Sequence, residues 1–171
     1  MAWTAPATRA TGDLITAAQW NAQVPNNMLA LAAGCRCSNN APESIPNNAV
    51  TILTFNSNRY DTDTIHSVLI NTSRLTCNTA GKYSICGNAE FAASAVGVRS
   101  LAILLNGATI IATDQRSATS ASVCQIQVAC EYALGVGDYA ELQAYQNSGG
   151  AINVNSAANY SPEFSMHFLG G

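Results

Sequence analysis

The stretch Arg99-Ser-Leu-Ala-Ile-Leu-Leu-Asn106-Gly107-Ala-Thr-Ile-Ile-Ala-Thr113 decides the fold class. Two apolar runs flank Asn-Gly, the pair that tolerates positive φ at both centres of a type I′ turn. Such a turn matches the twist of two antiparallel strands, so this stretch predicts a β-hairpin. Downstream, Ser122 to Leu134 reads as one long strand. Cys124, Ile126, Val128, Cys130 and Tyr132 point one way; Gln125, Gln127 and Glu131 point the other. Ala140, Leu142 and Ala144 repeat the alternation after Gly137-Asp138, and Ser148-Gly149-Gly150 turns the chain into Ile152 and Val154. Phe164, Met166 and Phe168 close the series. Upstream, Val50 and Ile52 alternate with Thr51, Leu53 and Phe55, and Tyr83 and Ile85 with Ser84 and Cys86. From about Ile45 onward the pattern gives eight to ten short strands and no helix, which predicts an all-β sandwich or barrel.

The first 34 residues follow another period. Met1 to Gly12 is rich in Ala, Thr and Pro and reads as irregular. Thr16 with Gln19 three residues on forms a capping box, and Ile15 with Trp20 a hydrophobic staple. Trp20, Val24, Met28 and Leu31 then share one helical stripe. Pro25 predicts a kink or a second helix beginning there, and Gly34 a stop. A helix this short does not fold alone. Its stripe must pack on its own domain, on a neighbouring subunit or on a larger particle. The expected organisation is an arm over residues 1–34, a polar linker over 35–44 and a β domain over 45–171.

Composition narrows the function. In 171 residues only 10% are charged, 48% are hydrophobic, and the net charge is −3. Lys82 is the one lysine. This excludes a basic nucleic-acid binder as the default reading. No apolar run approaches the 18 residues of a membrane span. The arm lacks the charge and apolar core of a secretory signal. The polar surface is made of 17 Asn, 15 Ser and 14 Thr rather than charge. Such a surface repels its own kind weakly and suits a self-associating subunit.

Three segments carry a resemblance. Phe55 with Asp61, then Leu75, Gly81, Tyr83 and Ile85, resemble the signature of the complement C1q/tumour-necrosis-factor jelly roll. Leu75 and Ile85 stand where that family has aromatics, and Asp61 lies further from Leu75 than in its signature. Leu134-x-x-Gly137-Asp138-x-x-Glu141-Leu142 is similar to the family's Leu-x-x-Gly-Asp strand entry. Tyr160 to Leu169 is similar to its last strand. The resemblance covers about residues 44–169 and implies an antiparallel jelly-roll sandwich that forms a homotrimer. The N-terminal segment, with Trp3-Thr4-Ala5-Pro6, Gly12 to Asn21 and Asn27 to Leu31, resembles the opening of many bacteriophage structural proteins.

Chemistry is sparse. No Gly-x-Ser-x-Gly elbow, phosphate loop or dinucleotide fingerprint occurs, so no catalytic residue and no cofactor is expected. Glu131 and Glu141 sit on predicted strands and could be adjacent, although such pairs are usually exposed. Asp61 and Asp63, near Asn58 and Asn71, could hold calcium or form a solvated turn; the turn is the expectation, and no metal is assigned. Cys124 and Cys130 lie about 20 Å apart along one strand and cannot pair with each other. Cys35-x-Cys37 falls in the expected linker, which makes Cys35, Cys37 and Cys86 the candidate cross-linking cysteines. Tyr60, Tyr145 and Tyr160 could stack on sugars or pack in an interface.

Together these features give a non-enzymatic virion protein. The expectation is a trimeric jelly-roll knob, acting as a capsid decoration or minor capsid protein at the virion surface after assembly in the host cytoplasm. It would be held to the major capsid protein or other virion proteins by Trp3, Trp20, Val24, Met28 and Leu31. The alternative is a tail-fibre tip or adhesin module that binds host glycan or protein.

Overall fold

The computed structural model describes residues 4, 5, 7–118 and 120–171. Two short helices, α1 (Ala17–Gln23) and α2 (Pro25–Leu31), precede twelve strands. These are β1 (Gly34–Ser38), β2 (Glu43–Ile45), β3 (Ala49–Ile52), β4 (Ser57–Asp61), β5 (Arg74–Thr76) and β6 (Gly81–Phe91). They continue with β7 (Val98–Leu105), β8 (Thr109–Ser117), β9 (Cys124–Leu134), β10 (Tyr139–Gln146), β11 (Ile152–Val154) and β12 (Glu163–Gly170).

The strands form two antiparallel sheets packed face to face. One runs β2-β11-β6-β12-β1-β4, with β9 on the other edge of β6; the other runs β3-β10-β7-β8, with β5 also on β10. We call them the first and second sheet. This is the antiparallel jelly-roll sandwich read from the sequence.

Local chemistry explains the turns. Asn106 and Gly107 adopt φ of 52° and 70° and join β7 to β8, as the Asn-Gly pair predicts. Asp138 fixes the entry to β10. Its carboxylate accepts from the Gly135 N–H at 2.8 Å and from the Asn106 side-chain amide at 2.9 Å. Asn106 in turn accepts from the Tyr139 N–H. Those donors, the Asn106 amide first, hold the Asp138 carboxyl below its ordinary range.

The core lies between the sheets and matches the alternation. Phe55 stacks on Phe164 with ring centres 5.8 Å apart, and Tyr83 meets Phe168 edge-on at 5.4 Å. Leu75, Cys77, Ile85, Ile126, Val128, Leu142 and Met166 are buried around them. Cys124 and Cys130 pack half-buried against the same core. Gly81 is needed because a Cβ there would stand 2.3 Å from the Phe168 ring and 2.5 Å from the Gly170 carbonyl oxygen, at φ +155°.

Two boundaries differ from the sequence reading. The expected linker over 35–44 begins with β1, which lies inside the first sheet between β12 and β4. Residues Gly34–Ser38 satisfy their backbone groups only by joining that sheet, which a short stretch cannot reveal without its distant partner. Gly34 is therefore not the helix stop. α2 ends at Leu31 with Ala32 as C-cap, and Gly34 opens β1 where a Cβ would strike the His167 ring at 2.6 Å.

Gly81→Ala should cost about 2–4 kcal/mol, since both a core ring and backbone must shift. Gly149→Ala, with φ +97° but open space around it, should cost only about 1–2 kcal/mol of backbone strain. Urea denaturation of both variants checks the ranking. On acidification, the stabilisation from Asp138 is present above the carboxylate's unfolded pKa and is lost as pH falls through its depressed folded pKa. Asp138→Asn should therefore flatten the acid limb of the stability profile.

Candidate functional site

The capping box of α1 and the break at Pro25 form as the sequence predicts. Thr16 caps α1, its hydroxyl accepting from the Gln19 N–H while the Gln19 side chain accepts from the Thr16 N–H. Pro25 opens α2 at its first turn. Asn27 ties the preceding segment down. Its side-chain amide donates to the Thr4 carbonyl at 2.7 Å, and its oxygen accepts from the Thr4 N–H at 2.9 Å.

Burial on these helices is inverted. The small residues Ala30 and Ala33 enter the core, whereas Trp20, Met28 and Leu31 are 53%, 67% and 50% exposed. Leu14, Ile15 and Leu29 are exposed beside them, and Val24 is half-buried. The docked side is latched by polar bonds. The Phe168 N–H donates to the Ala33 carbonyl at 3.0 Å, and the Thr62 hydroxyl donates to the Ala32 carbonyl at 2.6 Å. The stripe Trp20, Met28 and Leu31 thus does not pack on its own domain. Trp3 lies outside the described residues.

Within the chain the candidate cross-linking cysteines form no disulfide. All six are free. Cys35 and Cys37 are fully buried because β1 points them into the core, not into a polar linker. Cys86 lies on the opposite face of the first sheet, where its sulfur accepts from the Gln127 amide. Two strand spacings and the sheet itself separate it from Cys35, which forbids a bond between them. Burial, with Cys35 alongside, pushes the Cys37 thiol up; burial does the same at Cys77 and Cys130.

Other sequence candidates separate. Glu131 is on β9 of the first sheet and Glu141 on β10 of the second, so they are no acid pair. Glu141 accepts from Ser73 and Arg74 instead. Asp61 accepts from the N–H groups of Asp63, Ile65 and His66, so it caps a turn. Buried His66 faces Asn58 and the Thr72 carbonyl. His167 is exposed and meets the Tyr60 hydroxyl at 2.5 Å. The Tyr145 hydroxyl donates to Asn48.

On the outer face of the first sheet, Ser165 of β12, Cys86 of β6 and Ala129 of β9 lie side by side in register, and Ser84 follows on β6 between His167 and Glu131. Beyond them β9 pairs only with β6, and β8 only with β7, so these two strands leave unpaired edges among the described residues. The sequence reading missed one ionic cluster. Glu163, 3% exposed, is bridged by Arg36 and Arg59. Residues 36, 59 and 163 are too far apart in the chain for spacing to suggest it.

No family model matches the chain, and no curated protein matches it. Solved structures do. The globular domain of zebrafish complement 1qA is similar with a TM-score of 0.58 and 13% identity, covering 80% of this chain and 97% of that one. Murine APRIL at pH 5.0 and at pH 8.0 is similar with TM-scores of 0.59 and 0.60, each at 11% identity and covering 80% of this chain and 98% of that one. The chain therefore carries a jelly-roll fold of the C1q/tumour-necrosis-factor type. At these identities the likeness establishes the fold and nothing finer.

Cysteine labelling checks the placement of the thiols. Iodoacetamide should leave Cys35, Cys37 and Cys77 unmodified in the native protein and reach all six cysteines in denaturant. Reduction should change neither gel mobility nor melting temperature.

Proposed function

We propose that this protein is a non-enzymatic, homotrimeric jelly-roll module fixed to a larger assembly by its N-terminal helices, and that the assembly is a bacteriophage particle. In this reading it is a capsid decoration or minor capsid protein at the virion surface. The observation that carries the attachment role is the inverted burial of α1 and α2. A helix that buries alanines and exposes Trp20, Met28 and Leu31 leaves its most valuable surface for another molecule. Full burial of each such side chain is worth about 1.5–3 kcal/mol. The phage assignment rests on the resemblance of residues 3–31 to the openings of phage structural proteins.

Self-association is supported by the fold and by the outer face of the first sheet. Ser84, Cys86, Ala129 and Ser165 present small, uncharged side chains that allow close approach of a second sheet. The partners are then other copies of this chain and a shell protein. A second reading, a tail-fibre tip or adhesin, is favoured by a polar groove at the end of the sandwich away from the helices.

Sedimentation equilibrium should give the mass of three chains. Ala129→Arg should reduce it to one chain while leaving the circular dichroism spectrum unchanged. Mass spectrometry of purified particles should find one copy per one to a few major shell subunits. A far lower ratio would move the protein to the tail, and its absence would sink the virion reading. Trp20→Ala with Met28→Ala should lower its recovery on particles about tenfold or more, with the trimer intact.

A further inference from the structure

The groove at the far end of the first sheet is built around a carboxylate that has no cation. Glu90, on β6, is 8% exposed. No Lys or Arg bridges it among the described residues. Three neutral donors hold it instead. The Gln125 amide donates at 2.9 Å, the Asn155 amide at 2.9 Å and the Tyr160 hydroxyl at 3.0 Å. The Gln125 bond, followed by that of Asn155, holds the Glu90 carboxyl below its ordinary range. The three donors thus favour the ionised carboxylate in the folded protein. What it supplies is orientation: one anion fixes three side chains from three segments of the chain.

Two of those three face a cavity. It measures about 560 Å³ and is lined by Gln125 and Tyr160 together with Asn88, Gln127 and Arg116. Its rim is rigid. The Ser161 hydroxyl accepts from the Glu90 N–H and donates to the Asn155 carbonyl, both at 2.8 Å, which stitches the turn carrying Tyr160 to β6. The Tyr160 ring remains partly exposed. Arg116 has its guanidinium engaged twice by Asp114. Ala89 and Ile126 complete the lining, so the cavity presents side-chain amides, an aromatic face and apolar surface, with one cation, Arg116, paired to Asp114.

We infer that this groove binds a neutral saccharide. A pyranose offers vicinal hydroxyls that both donate and accept, which matches the amides of Asn88, Gln125 and Gln127. It also offers an apolar C–H face that stacks on a phenol ring such as Tyr160. A phosphorylated ligand would need several cations, and Arg116, already paired with Asp114, is the one cationic side chain in the lining. The volume is within the range of small-ligand sites. Position fits the chemistry. β6 runs from Gly81, at the end where the helices dock, to Asn88 at the groove, about 23 Å away at about 3.3 Å per residue. The groove thus opens away from the attachment helices. The inference is independent of which particle carries the protein.

Saturation-transfer NMR on the self-associated protein tests it. The probes are the methyl glycosides of glucose, galactose, mannose, rhamnose, N-acetylglucosamine and N-acetylgalactosamine, followed by an array of neutral oligosaccharides. At least one sugar should receive saturation. Tyr160→Ala and Gln127→Ala should each weaken its binding tenfold or more, and Glu90→Gln about fivefold. Gln127→Ala lies outside the Glu90 cluster, so it keeps the test valid if the others destabilise the fold. Gln143→Ala on the second sheet should change nothing. Saturation of no probe and no array signal would overturn the inference. So would binding that survives both Tyr160→Ala and Gln127→Ala. Neither result bears on attachment, which is read on particles.

Discussion

The structure depends on β12 lying between β1 and β6. One register line runs Cys35–Met166–Ile85 across the three strands, so the first and last strands of the chain share a ladder. The inward side chains of β12 hold the rest. Phe164 stacks on Phe55, Met166 is fully buried, and Phe168 packs on Tyr83 and over Gly81. Tyr83 is itself held, its hydroxyl donating to the Thr79 carbonyl, and burial raises its pKa above the ordinary range. β12 cannot form its ladder until nearly the whole chain is in place. The loop entropy of that closure makes the sandwich cooperative rather than a sum of hairpins.

The same closure positions the N-terminal helices. Ala33 accepts from Phe168 at the end of β12, and Thr62 latches Ala32 from the end of β4. These bonds fix where α2 sits, and the side chains buried there and at its exit are small: Asn27, Ala30 and Ala33. The large apolar side chains are left outside on a segment whose charged residues are Arg9 and Asp13. Exposed single hydrophobics are ordinary, but six large ones are concentrated on two short consecutive helices and their lead-in. Low charge removes electrostatics as its means of recognition, so contact there depends on shape and apolar area.

Where sequence and structure agree, the determinant is local. The capping box at Thr16, the break at Pro25 and the Asn106-Gly107 turn each depend on residues within four positions of one another. The alternation in β9 survives because one face is core and the other is solvent. Where they disagree, the determinant is distant. Cys35-Arg-Cys37 alternates like a strand, but two thiols around one arginine in five residues do not distinguish a strand from a linker. Its identity comes from β12, some 130 residues later. The ionic cluster at Glu163 and the donors around Glu90 escape for the same reason. Tyr160 could be singled out as an exposed aromatic; that Gln125 and Asn155 would join it on one carboxylate could not.

Glu163 and Glu90 pose one physical problem solved in two ways. Both are buried carboxylates on the first sheet, and register places them close, with Glu163 opposite Asn88 two residues before Glu90. Glu163 is neutralised by Arg36 and Arg59, which tie β1, β4 and β12 together. That is how a buried charge is kept when it serves the fold. Glu90 has no such partner and is surrounded by groups that are neutral and directional. Its three donors favour the ionised form, and the anion in turn fixes the orientation of Gln125 and Tyr160. Amide and phenol groups fixed in this way beside an open cavity suit recognition of an uncharged, hydroxyl-rich ligand.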